Sequence, residues 1–436
     1  MTTETVIILV VSWFTIFLLL GQSVATVMLG AGLLGTVLLK NVAVLNGLVG
    51  PDIFFTTSSY TLSIIPLYLL MAQVLVKGGV FLDLFRVGHR LAGYRRFPLG
   101  MATIITGGML GAVSGSGAAS AAAISTLATP ELERVGYSRP FAVAVAAVAG
   151  SLSVIIPPSL LVMIYGSVTG APIGKLFVGS IGPSVLCILV YVLCLWLFGG
   201  RPQVSAAQMR QAAIEEPIVT RRSVVAAAFV VMLMTVVFGS IYGGVVTVGE
   251  AGAIGAFIAL TGMILMRRVT MADIGQALVD AIKISAMLTM LLVAAQIFSR
   301  FLSFSRIPTE LLQMAAPLID QPELLVVVIM LGFFIAGMAL EEVTVIVLSV
   351  PILLPMVKAA GIDQIWFGVV CCYVISLGLL TPPVGLVAFS AATAAKTPVG
   401  PVFRIALNFT IVAVVLVVGS LMLLPQIVTW LPSHLN

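Results

Sequence analysis

A Pro-Pro pair occurs twice in this chain, 225 residues apart, each time inside an apolar run: Pro157-Pro158 in SLSVIIPPSLLVMIYG and Pro382-Pro383 in SLGLLTPPVGLVAFSA. Proline lacks the amide donor and its ring clashes with the preceding turn, so each pair must break the helix its neighbours would form. The runs belong in a membrane. The 436-residue chain is 61% hydrophobic and only 8% charged, where a soluble domain carries roughly 25% charged residues. A break at membrane depth frees backbone groups that lipid cannot satisfy, so it survives only where it lines a protein cavity. Two such breaks in matching halves of one chain point to a substrate and ion site of a secondary transporter.

Other readings fall away on the residues. Cys187, Cys194, Cys371 and Cys372 all lie in apolar runs without framework spacing and read as small core hydrophobes. His89 and His434 are too few and too far apart for a metal site. The net charge of +5 reflects loop lysines and arginines and does not imply nucleic acid. Residues 1–20 lack a basic n-region and a small-residue cleavage site, so no cleavable signal is expected. There is no GxxxxGK[ST] loop for ATP, and no HExxH, GxSxG or aspartate-rich pair for an intramembrane enzyme.

Apolar runs place spans near 5–21, 24–40, 58–76, 140–169, 176–198, 223–243, 246–266, 281–299, 365–394 and 402–428, since about 20 apolar residues cross the hydrocarbon. Regions 98–133 and 322–358 are apolar but interrupted at their centres. They read as re-entrant helical hairpins, or else as two short spans each. Either way both ends of each region lie on one face. Alternating the spans leaves Lys40, Lys175, Arg300, Arg306 and Lys358 on one side and the other sixteen of the 21 Lys and Arg opposite. The larger group marks the cytoplasm, which puts both termini outside.

The constant offset of 225 also pairs Pro130 with Pro355, Gly136 with Gly361 and Ser151 with Ser376. An odd number of spans separates the two broken helices, so the halves run in opposite senses as an inverted repeat. The expected fold is therefore an all-α polytopic membrane protein with two re-entrant hairpins and two proline-broken helices. Its parts are scaffold spans at 1–76, a first repeat at 77–198 (surface helix, hairpin 98–133, broken helix 140–169), a polar linker at 199–222, central spans at 223–299, and a second repeat at 300–436 (hairpin 322–358, broken helix 365–394, last span). Segment 77–98 alternates basic and apolar residues and reads as an amphipathic surface helix, with 300–321 as its counterpart.

Two loops are candidate binding sites. The first hairpin turns at Ser114, Gly115, Ser116 and Gly117, whose small side chains permit close backbone approach. Serine hydroxyls and freed carbonyls suit a dehydrated alkali cation, and the helix N-terminus near Gly117 suits an anion. Small-residue helix packing would produce the same stripe. The second hairpin turns at Gly337 to Thr344 and carries Glu341 and Glu342. An intramembrane acid is costly and reads as functional. It can balance a bound cation, couple protons or bond helix amides; a tip that reaches water would leave one or both acids solvated. Glu341 is the favoured of the two. Ile156, Pro157, Pro158 and Ser159 can face the first loop, and Thr381, Pro382, Pro383, Val384 and Gly385 the second. Ser151 and Ser376 are weaker candidates, because serine in a membrane helix commonly bonds its own backbone.

GAVSGSGAASAAA with PELERVGYSRPFAVAVAAVAGSLSVIIPPSLLVMIYGSVTG, and GMALEEVTVIVLSVPILLPMVKAAGIDQIWFGVVCCYVISLGLLTPPVGL, resemble the large permease subunit of tripartite ATP-independent periplasmic (TRAP) transporters over essentially the whole chain. The resemblance implies an elevator-type, sodium-coupled importer of organic anions (carboxylates) in a bacterial inner membrane. It also implies two partners, a small four-span membrane subunit and a periplasmic solute-binding protein. Sodium, the coupling ion, would sit at Ser114–Gly117 with Ile156–Ser159, and at Gly337–Glu341 with Thr381–Gly385. The chain departs from the family at Gly117, where a further serine is common, at Glu341, where aspartate is usual, and at Glu342, an added acid. A stand-alone ion-coupled anion symporter of similar architecture is the alternative.

Overall fold

A computed structural model describes residues 2–93, 95–114, 116–200 and 219–434, and the side chains of 110–114 are outside that description. Gly115 and positions 201–218 of the expected linker therefore lie outside the described residues. Every regular element among those described is a helix. Eight stretches are long and apolar enough to cross a membrane: Tyr60–Lys77, Ile173–Phe198, Arg221–Tyr242, Val248–Leu265, Met271–Ser305, Pro322–Ala339, Glu342–Ala359 and Val399–Leu423. In each, half or less of the most apolar window is buried within the chain. The rest, such as Leu189, Leu193 and Trp196, is exposed apolar surface suited to lipid.

Local chemistry sets the helix ends. Ser23 caps Val24–Leu39, while Thr247 with Glu250 and Thr270 with Asp273 form reciprocal capping boxes. The surface helix Val80–Ala92 lies between Gly79 and Gly93, both at positive φ. Its hydrophobic face carries Phe81, Leu84 and Phe85 inward.

Charged contacts sort onto two ends of the molecule. Lys77 pairs with Asp280, Arg139 with Glu133, and Arg268 with Asp83. All three pairs belong to the arginine-rich end expected from the alternation of spans. Arg300 pairs with Asp52 at the other.

The structure corrects the sequence reading in detail. Residues 42–57, outside the expected elements, form helix Val42–Thr57, started by the Asn41 side chain and carrying Pro51. The boundary drawn at 299/300 falls inside Met271–Ser305, a 35-residue helix. No glycine or proline interrupts 300–305, and the next breaker is Pro308. The surface counterpart expected at 300–321 is thus shortened to Ile307–Met314 and Ala316–Ile319. The last span is Val399–Leu423, and Gln426–Ser433 is a separate short helix.

Each hairpin is a pair of helices joined by two residues: Arg96–Ser114 with Gly117–Arg134, and Pro322–Ala339 with Glu342–Ala359. Each broken helix has two arms, Arg139–Ser151 with Leu160–Thr169, and Gln364–Gly378 with Leu386–Ala394. Both Pro-Pro bonds are cis. Gly136 and Gly361, equivalent in the repeat, both take positive φ in the turn between hairpin and broken helix.

Candidate functional site

Four half-helices start near the centre of the hairpin region, and the residue at each start explains why. Ser116 caps Gly117–Arg134, its hydroxyl accepting from the Ala119 amide at 3.4 Å. Its repeat mate Glu341 caps Glu342–Ala359, accepting from the Thr344 amide at 3.3 Å. Ser159 caps Leu160–Thr169 through the Val162 amide at 3.3 Å and donates to the Val154 carbonyl upstream of the break. Gly385 starts Leu386–Ala394 at φ 51°, where a Cβ would meet the Phe403 ring at 2.4 Å and the Thr381 carbonyl at 2.7 Å. Only glycine fits that position.

The hairpin tips touch each other and the breaks. The Gly117 amide donates to the buried Glu342 carboxylate at 3.3 Å. The Met338 carbonyl accepts from the amides of Val384 and Gly385 at 3.2 and 3.0 Å, tying the second tip to the second break. Gly337 and Gly378 let two helices meet backbone to backbone. Ser376 donates to the Ser151 carbonyl at 2.8 Å, and Ser151 itself bonds the Val148 carbonyl of its own helix. Thr381 is buried and donates to the Gly378 carbonyl at 2.7 Å.

The two ends of this region differ in exposure, although the repeat makes them equivalent. Pro157, Pro158 and Ser159 are buried, whereas Pro382, Pro383 and Val384 are exposed. Phe389 is 49% exposed and its mate Ile164 is 0%. Ala119, Ala123, Thr126 and Pro130 form an exposed strip at helical spacing along Gly117–Arg134. Two of their mates, Thr344 and Leu348, are buried and half-buried. The strip is made of small side chains, unlike the large ones exposed on Ile173–Phe198. The second break and the strip on Gly117–Arg134 are thus exposed at positions whose repeat mates are largely covered.

The model of the family described as "Tripartite ATP-independent periplasmic transporter, DctM component" matches residues 11–427. The chain belongs to that DctM family. Relatives include the C4-dicarboxylate TRAP transporter large permease protein of Pseudomonas aeruginosa, 28% identical over 87% of this chain and 86% of that one. The 2,3-diketo-L-gulonate TRAP transporter large permease protein of Escherichia coli is 30% identical over 75% and 76%. The ectoine/5-hydroxyectoine large permease of Ruegeria pomeroyi is 29% identical over 78% of each. The crystal structure of the Alcanivorax borkumensis YdaH transporter has the same fold, with a TM-score of 0.62 at 14% identity, covering 91% of this chain and 89% of that one.

In this DctM chain the expected site residues come together, with distinct roles. Ser116, Gly117, Glu341, Glu342 and Thr344 lie at the hairpin tips; Ile156, Pro157, Pro158 and Ser159 form one break and Thr381, Pro382, Pro383 and Gly385 the other. Ser114 ends the first hairpin arm. Of the two acids, Glu341 caps its own helix at an exposed position, while Glu342 turns inward to the opposite hairpin. Sequence reasoning placed Met338 in the second tip without giving its carbonyl a role, and passed over Gly378. Gly378 could have been found as the one small residue between Ser376 and the break; nothing marks Met338, which acts through its carbonyl.

Proposed function

We propose that this chain is the membrane path of a sodium-driven importer of organic anions, carboxylates in the first place, working by an elevator-type movement of the two hairpins and two broken helices against the remaining spans. The observation that carries this reading is the asymmetry between equivalent halves. Pseudo-symmetric halves whose equivalent positions differ in exposure are what alternating access requires, since exchanging the two environments gives the opposite state. The four helix starts at the centre direct amides and positive dipole ends toward an anion. Hydroxyl and carbonyl oxygens at the tips and breaks are hard ligands suited to sodium, which travels with the solute. The chain's surface helices Val80–Ala92 and Ile307–Met314 flank the hairpins in sequence and are placed to carry them.

The partners are a small four-span membrane subunit and a periplasmic binding protein, in a bacterial inner membrane with both termini periplasmic. The anion assignment draws on relatives named for C4-dicarboxylate and 2,3-diketo-L-gulonate. The test is uptake of labelled succinate and a panel of other carboxylates by proteoliposomes holding the chain, its small subunit and its binding protein. Uptake should follow an imposed sodium gradient; the same rate in choline would overturn the coupling. Uptake without the binding protein would instead favour the stand-alone symporter. In detergent, sodium titrated against choline should raise the unfolding temperature saturably. Bulky replacements at Ser116 and Thr381 should remove that shift.

A further inference from the structure

A polar cavity lies around Arg300 and Asp52, away from the hairpin tips. It has a volume of about 390 Å³ and is walled by Val42–Thr57, the start of Tyr60–Lys77 and the far part of Met271–Ser305. The hairpin region closes it through Ser167 and Val168 of the first broken helix and Pro351 of the second hairpin. Its charged feature is the Arg300–Asp52 pair.

Asp52 is buried and holds Arg300 side-on, taking Nε at 3.1 and 3.3 Å and Nη2 at 2.9 Å. The guanidinium has five donors in a fixed fork, so this leaves its outer edge unused. Nη1 has no partner among the described residues, and the Arg300 side chain is 47% exposed. Thr56, Ser59, Gln296 and Ser299 line the same cavity, and none of their side chains bonds another described residue. Neighbouring hydroxyls behave otherwise: Thr57 bonds the Ile53 carbonyl, Ser63 that of Tyr60 and Ser303 that of Ser299. That self-bonding is the usual fate of such side chains in a helix.

A cavity with an anchored guanidinium edge, four uncommitted polar side chains and no acid but Asp52 fits one chemistry. We propose that it is a second anion site, a vestibule that takes the carboxylate of the solute before the hairpins receive it. Asp52 holds the fork in place and leaves the outer edge for a bidentate contact. The surrounding hydroxyls and the Gln296 amide supply further donors. Because its walls come from both the scaffold spans and the hairpin region, movement of the hairpins changes its shape. A carboxylate resting there would be released as they move. This site rests on the anion reading of the proposed function, but its test reads binding, not transport.

The experiment uses the full chain in detergent with Ser167→Cys as a reporter, the native cysteines all being buried. The rate of modification by a charged methanethiosulfonate is measured while succinate is titrated at constant ionic strength, with succinamide as the neutral control. Succinate should slow modification saturably and succinamide should not. Arg300→Lys keeps the charge opposite Asp52 but has no second edge. It should weaken protection at least about tenfold, the loss expected for one charge-assisted hydrogen bond. Gln296→Leu, which leaves the ion pair untouched, should weaken it as well and serves if Arg300→Lys does not fold. Protection by succinamide equal to that by succinate, or protection unchanged in the variant that folds, overturns the site. Protection by an added binding protein alone overturns the small-carboxylate assignment. Failed uptake with intact protection would strike the transport reading and leave the vestibule standing.

Discussion

The Gly117 amide donates to the Glu342 carboxylate at 3.3 Å, and the two residues hold the same position in the two repeats, 225 apart. Ser376 and Ser151, joined at 2.8 Å, are separated by the same 225. Equivalent residues can touch only near the axis that relates them. These two bonds therefore mark the pseudo-two-fold axis, and the first hairpin borrows a cap from the second. The tips form one unit, so any movement of one hairpin that keeps this bond carries the other with it.

Glu342 and Glu341 should separate on mutation. Glu342→Ala strands the buried Gly117 amide, a cost of about 1–3 kcal/mol, and should also loosen the contact between tips. Glu342→Gln keeps an acceptor and should retain most of the stability. Glu341→Ala removes an exposed helix cap, worth about 1 kcal/mol. Thermal unfolding of the three variants decides it; equal losses from Glu342→Ala and Glu342→Gln would mean that the charge, not the acceptor, matters.

The unequal exposure of Phe389 and Ile164 makes a sided prediction. Phe389→Cys should react with a membrane-impermeant thiol reagent at least tenfold faster than Ile164→Cys, a ratio equivalent to about 1.4 kcal/mol of opening free energy. The reagent should succeed from the cytoplasmic side. Labelling of Phe389→Cys from the outer side alone would reverse the orientation inferred from the arginines. Equal labelling of both positions would remove the asymmetry on which alternating access is argued.

What the sequence disclosed and what it withheld follow from the range of each effect. The proline breaks were legible because a missing amide and a ring clash act within one helical turn. Arg300 and Asp52 are 248 residues apart, and no local pattern announces their pairing. Helix Val42–Thr57 escaped notice because Asn46, Gly47, Gly50, Pro51 and Asp52 interrupt its apolar run. The choice between Glu341 and Glu342 was beyond local reasoning as well. Adjacent residues on a helix point about 100° apart, and which one faces inward depends on where Gly117 lies.

The backbone contact between the second hairpin and its broken helix should tolerate no side chain. A Cβ on Gly337 would lie 2.8 Å from the Ile375 carbonyl, and one on Gly378 2.6 Å from the Phe334 carbonyl. Neither obstacle is a flexible side chain, so the helices must separate. Gly337→Ala should cost about 1–3 kcal/mol and lower the unfolding temperature. Gly332, on the same helix with nothing within 4 Å, is the control. Gly332→Ala should be neutral or stabilising by up to about 1 kcal/mol. If Gly337→Ala matches that control, the close approach is not needed.

His89 gives the fold an acid-sensitive point. It sits on the surface helix Val80–Ala92, buried against Phe85 and 3.3 Å from the Thr103 hydroxyl of the first hairpin arm. Burial lowers its pKa from the ordinary 6.5 to about 3. The folded protein thus holds the neutral ring where the unfolded chain would take a proton. The stability this contributes is fully present above about pH 6.5 and is lost as pH falls toward 3. The slope is at most about 1.4 kcal/mol per pH unit. His89→Gln, which cannot titrate, should start less stable at pH 7.5 and lose less on acidification. Unfolding temperatures of both proteins between pH 7.5 and 5 provide the measurement. Parallel curves would assign the acid sensitivity to other groups; convergence of the curves below pH 6.5 would place it at the joint between surface helix and hairpin.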